Sequence, residues 1–151
     1  CPLSCLDKAR YGIAWGATGA ALACYESSVA YARERIQFDR PIAAFQLVQR
    51  KLSLMLTEIT LAQLMNLRVG RLKDEGKGRY QHTSMAKMNA TAKAVEIARM
   101  ARDIHGANGI TLEYPVIRHM NNLESVHTYE GTYDIHLLIL GQEITGFSAF
   151  R

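Results

Sequence analysis

A chain of 151 residues, 48% hydrophobic and with a formal charge of +4, is long enough to bury one compact core and too apolar to be disordered. Its positive charge is modest and dispersed. No RNA-recognition motif, zinc finger or aromatic-interleaved basic stripe accompanies it, which argues against nucleic acid and suits a phosphate-bearing small molecule better. Cys1, Cys5 and Cys24 are too clustered for a disulfide framework or a zinc site and point to a reducing compartment.

Only Pro2, Pro41 and Pro115 interrupt the chain, so long stretches are free to be helical. The most apolar one, Gly12 to Cys24, is rich in alanine and glycine and flanked by charge, which predicts close helix packing and no membrane span. From Asp7 to about Phe38, the residues Leu22, Tyr25, Val29, Ala32 and Ile36 recur at spacings of three and four and predict one long helix. It should end within Phe38-Asp39-Arg40-Pro41, because proline disfavours helical geometry at the residue before it. A second stripe runs through Phe45, Val48, Leu52, Met55, Ile59, Ala62, Val69 and Leu72, with Gly76 and Gly78 at its exit. A third helix is expected from about Gln81 to His105, with Met85, Met88, Ala92 and Val95 inward and Lys87, Lys93, Arg99 and Arg102 on a solvated or ligand-facing side; Gly106 and Gly109 stop it. Pro115 opens a connecting helix to Leu123. A last helix starts near Thr132 with Ile135, Leu138, Ile139 and Ile144 inward. The pattern predicts a single all-α domain over residues 1–151, an up-and-down four-helix bundle.

Tyr129-Glu130-Gly131-Thr132 lies between the last two helices. Gly131 lets backbone approach a ligand closely, and Thr132 suits a helix cap. Val126, Tyr129 and Tyr133 surround Glu130 with apolar and aromatic groups, an environment that raises a carboxylate's pKa towards that of a useful base. Spacing alone favours a plainer role, an exposed first-turn acid complementing the helix dipole. Glu124-Ser-Val-His127 has the Glu-x-x-His spacing of di-iron bundles, but those need a second such pair and the chain has none, so no metal site is expected. A non-enzymatic helical interaction module is the other competing reading.

Three segments in order carry a resemblance: Arg33-Glu-Arg-Ile-Gln-Phe38 followed by Gln46, Ile104-His-Gly-Ala-Asn-Gly109 with Tyr114-Pro115, and Tyr129-Glu-Gly-Thr132. Together they resemble the C-terminal helical domain of the acyl-CoA dehydrogenase family. Ala9-Arg-Tyr-Gly-Ile-Ala-Trp-Gly16, Thr128 to His136 and Leu138-Ile-Leu-Gly141 resemble its glutaryl-CoA branch. The resemblance implies FAD as cofactor, an acyl-CoA substrate, an electron-transfer flavoprotein as acceptor, and a homo-oligomer, either a dimer or a dimer of dimers. It makes Glu130 the catalytic base for the substrate's α-proton; the alternative family position for a base falls on Ala9, which cannot accept a proton. Arg35, Gln37, Phe38 and Gln46 match contacts to a neighbouring subunit's cofactor, and Asp103, Ile104, His105, Gly106 and Ala107 match a backbone-lined adenosine-side contact. Thr132, Asp134 and Phe150 match positions near the flavin, whereas Leu3, Asp7, Arg10, Tyr129 and Gly131 match substrate contacts. Helical and β domains are expected upstream of Cys1, and without them the isolated segment is expected to be inactive. The implied location is cytoplasmic in a bacterium or archaeon and the mitochondrial matrix in a eukaryote.

Overall fold

The structure, a computed structural model, describes residues 2–150, with side chains described from Ser4 onward. Helix α1 (Pro2–Glu34) is followed by a two-stranded hairpin of β1 (Ile36–Gln37) and β2 (Arg40–Pro41), then α2 (Gln46–Asp74), α3 (Tyr80–Ile104), α4 (Val116–Thr128) and α5 (Tyr133–Thr145). Short 3₁₀ turns at Ile42–Ala44 and Gly106–Ile110 join them. The expected helical bundle forms, from three long helices and two shorter ones. None of the described helices is long and apolar enough to cross a membrane.

Helix α3 is the centre of the bundle and packs against α1, α2, α4 and α5. Its seam with α1 is built of small residues: Ala14, Ala17, Ala21, Cys24 and Ala32 on one side, Ala86, Ala90, Ala94, Ala98 and Ala101 on the other, all buried. Side chains this short let two helix backbones approach closely, so dispersion contacts accumulate along the seam. Helix α2 closes the third side with Met55, Ile59, Ala62, Asn66 and Val69, again at spacings of three and four. Asn66 is satisfied in part by its Nδ2, which donates to Thr18 Oγ1 at 3.1 Å.

Four expectations need correction. The inward line of α1 is not Leu22, Tyr25, Val29 and Ile36, which flank the core or are exposed; the alanine line one step round the helix is buried instead. Helix α1 ends at Glu34 rather than near Phe38, because Phe38 (φ 52°) and Asp39 (φ 62°) form a two-residue turn that pairs Ile36 with Pro41 and Gln37 with Arg40. On α3, Met85 is exposed, whereas Lys87, placed outward from the sequence, has no exposed surface. Its ammonium points into the bundle and meets backbone carbonyls of the α4–α5 connection. On α5, Ile135, Leu138 and Ile144 are exposed and His136 is the buried residue, since α5 leans mainly on α3 and leaves its apolar sides open.

Candidate active site

The Glu130 turn is held at both ends. Helix α4 finishes with Tyr129 N–H donating to Ser125 O at 3.0 Å, and α5 begins under a cap in which Thr132 Oγ1 accepts from Ile135 N–H at 3.4 Å. Between them Glu130 (φ 57°) and Gly131 (φ 97°) are both left-handed, a geometry costing a residue with a Cβ roughly 1–2 kcal/mol. At Gly131 even a methyl group would press on His136 Nε2 at 3.1 Å and the Arg10 guanidinium at 3.2 Å. Arg10 Nε donates to Glu130 O at 2.8 Å, so the backbone of Glu130 is tied to α1. The side chain is left free: Oε2 of Glu130 is buried and has no hydrogen-bond partner among the described residues. A carboxylate oxygen shielded from water and from donors is an acceptor in waiting, which is what proton abstraction requires. No backbone carbonyl among the described residues accepts the Glu130 N–H.

The neighbours set the electrostatics. Asp7, expected at the substrate, pairs with Lys73 of α2 instead. Burial works to raise its pKa, but Lys73, with Thr83 and Arg10 beside it, outweighs burial and holds the carboxyl below its usual range. Arg10 likewise serves the protein's own backbone through Nε. His136 is fully buried; no side chain among the described residues meets its ring nitrogens, and only the Gly131 backbone lies near enough to favour the charged ring. Burial first, then the charges of Lys87 and Arg10, push its pKa down to about 4. Because the unfolded chain takes up this proton near pH 6.5 and the folded chain does not until about pH 4, stability is complete above 6.5 and lost as pH falls through that window. The loss is expected to reach about 3 kcal/mol, and His136→Phe should flatten the difference in urea unfolding between pH 7 and 4. Parallel pH profiles for the two proteins would refute it.

A groove of about 460 Å³ runs beside the turn between α1 and α4, with Gly12, Ile13 and Gly16 facing His119, Val126 and Tyr129. Sequence reasoning missed it. A Cβ on Gly12 or Gly16 would meet nothing within 4 Å, so these glycines leave space instead of packing helices. The signal was present in the Gly-x-x-x-Gly spacing, but the same spacing serves close helix contact equally well.

Half of the predicted cofactor residues gather elsewhere. Arg35, Gln37, Ile104, His105, Gly106 and Ala107, from two segments about seventy residues apart in sequence, line one cleft of about 290 Å³. The His105 ring is turned into the bundle: its Nδ1 faces Ala101 O at 2.8 Å, its Nε2 faces Ser27 Oγ at 3.2 Å, and it stacks on Tyr31. Burial lowers its pKa against the opposing Ala101 bond, so the ring is neutral near pH 7. Arg35 has no ion pair among the described residues. An unpaired guanidinium beside a glycine turn with positive φ at Gly106 fits a pyrophosphate. Asp103 faces Lys51 and Arg102 instead of the cleft. Phe38 is exposed at the hairpin tip, and Gln46 lies in a separate hollow with Arg40 and Phe45. Asp134 and Phe150 are exposed on and just after α5. The side chain of Leu3 lies outside the described residues.

The two groupings stand at opposite ends of α1. From Arg10 to Glu34 the helical rise amounts to about 36 Å, so the two groupings are separate sites on this chain.

The all-α bundle thus presents a carboxylate on a left-handed turn at one end and a cationic, glycine-lined cleft at the other. Residues 2–145 match the family described as acyl-CoA dehydrogenase, C-terminal domain, and the chain belongs to that family. It is similar to a glutaryl-CoA dehydrogenase from Mycobacterium smegmatis, at 55% identity and a TM-score of 0.97, covering 99% of this chain and 39% of that one. A glutaryl-CoA dehydrogenase from the same organism solved in complex with FADH2 is 47% identical, with the same TM-score and coverage. An acyl-CoA dehydrogenase of Bacillus subtilis is 38% identical over 93% of this chain, which spans 37% of that relative's length.

Proposed function

We propose that this chain is the catalytic C-terminal part of a flavin-dependent acyl-CoA dehydrogenase acting on glutaryl-CoA. The observation that carries the reading is the buried, unpartnered Oε2 of Glu130 on a turn anchored by Arg10. Glu130 takes the α-proton. Bound FAD would supply the acceptor for the β-hydrogen, which leaves as hydride, and an electron-transfer flavoprotein would then carry the electrons away. As the α-carbon loses its proton, negative charge grows on the thioester oxygen, and the Glu130 N–H is available to stabilise it. Tyr129 and Gly131 flank the base and bound the thioester end, while the groove between α1 and α4 offers space beside it.

Arg35, Gln37 and the 104–107 turn would hold the adenosine and pyrophosphate side of a second copy's FAD, and Thr132 and Asp134 would lie near the flavin of their own copy. The roughly 36 Å of helical rise between Arg10 and Glu34 supports this division and with it a homo-oligomer. Exposed leucines on α2, such as Leu47, Leu61 and Leu64, and the open apolar sides of α5 supply surface for such an assembly.

Glutaryl-CoA is favoured by the 55% identity to the mycobacterial enzyme; another short or branched acyl-CoA is the second reading. The flavin-loaded, full-length enzyme given glutaryl-CoA should release carbon dioxide and crotonyl-CoA, with kcat/KM at least about tenfold above that for butyryl-CoA. A preference for butyryl-CoA would move the substrate to the second reading. No flavin reduction by any acyl-CoA would end the dehydrogenase proposal.

A further inference from the structure

We propose that Lys87 is a positioning residue for the Glu130 turn, its buried ammonium fixing the backbone from which the base projects. Nζ donates to Gly131 O at 2.7 Å and Tyr129 O at 2.9 Å, with His127 O at 3.5 Å. An ammonium has three donors, and three carbonyls converge on it. With Arg10 on Glu130 O, the carbonyls of 127, 129, 130 and 131 are bound by cations from α1 and α3. Lys87 has no exposed surface and no carboxylate within ion-pair distance among the described residues. A buried charge is tolerated only where its hydrogen bonds are met. An apolar side chain would remove that cost and leave the carbonyls unsatisfied.

The groups facing Lys87 are Arg10 from α1, the Glu130 carboxylate in the turn, His127 at the end of α4 and neutral His136 from α5. Burial and then Arg10 lower its pKa to about 8, with Glu130 opposing them. Below that pH the ammonium serves all three carbonyls; above it the neutral amine has two donors and the turn loosens. A base would by itself give a rate that only rises with pH, so an alkaline decline is the signature of this lysine. Overall stability moves the other way, because shedding a buried charge eases the folded state between about pH 8 and 10.5.

The inference rests on the proposed function for its kinetic arm only. In the flavin-loaded, full-length enzyme, Lys87→Met is expected to lower kcat by about a hundredfold, the cost of misplacing a reacting group by an ångström, with KM little changed. Its alkaline limb near pH 8 should vanish. Hydrogen exchange at the Tyr129, Ile135 and His136 amides, which bond to Ser125 O, Thr132 Oγ1 and Thr132 O on either side of the turn, should accelerate while the middle of α3 keeps its protection. Wild-type exchange at those three amides, or an alkaline limb that survives the substitution, would overturn the assignment. Should Lys87→Met not fold, the wild-type protein decides: after correction for intrinsic base catalysis, the Tyr129, Ile135 and His136 amides must lose protection between pH 7 and 9.5 relative to residues 90–101, and equal protection overturns it. Glu130→Gln separates the two ideas. If that variant still reduces its flavin, the base assignment fails, whereas the exchange result stands or falls on Lys87 alone.

Discussion

Glu130→Gln is expected to bind flavin and acyl-CoA and to lose substrate-driven flavin reduction by at least about 10²–10⁴-fold, the contribution of a positioned general base. The structure predicts an intact site, because the turn is anchored through the carbonyl of residue 130 and not through its side chain. Glutamine has the same length and the same tolerance of φ 57°, so only proton acceptance is removed. Anaerobic stopped-flow bleaching of the flavin measures this step directly. A rate near that of the unsubstituted enzyme would remove Glu130 as the base.

The largest structural effect is expected at Gly109. A Cβ there would overlap the carbonyl oxygen of Arg102 and lie 3.0 Å from its C and Cα. Those are backbone atoms in the last turn of α3, so relief requires unwinding the helix end or displacing the 105–107 turn. Gly109→Ala should destabilise the domain by about 2–4 kcal/mol in urea unfolding, and the flavin-loaded enzyme should release cofactor more readily on gel filtration. Gly70→Ala is the control. Its Cβ would meet only the hydroxyl end of Tyr11, which can swing aside at the cost of its bond to Asn66 O. Equal unfolding midpoints for Gly109→Ala and wild type would refute the clash.

Helix number, order and approximate ends were legible because periodicity and breakers are local signals: the second stripe from Phe45 to Leu72 became α2, and Pro115 opened α4. Burial within α1 was less legible. Leucine and tyrosine dominate a hydrophobicity pattern, yet alanines occupy the seam because only they let α3 approach, a property of the partner and not of α1. The hairpin at Phe38-Asp39 lacks the usual Asn-Gly signal, and so α1 was expected to run on. Lys87 was misplaced for a related reason. A lysine reads as solvated until three carbonyls some forty residues downstream are brought over it. The location of Glu130 on a capped turn could be read from Gly131 and Thr132; the isolation of its carboxylate oxygen could not, since that depends on what surrounds the turn. Gathering Arg35 and His105 at one cleft likewise required the bundle to close.

Glu130 occupies a conformation that glycine would adopt more comfortably. A sequence drifting under pressure for thermal robustness alone would therefore shed the carboxylate and gain from doing so. Glu130→Gly is accordingly expected to raise the unfolding midpoint while removing the proposed base, so substitutions chosen for stability alone should leave the position untouched.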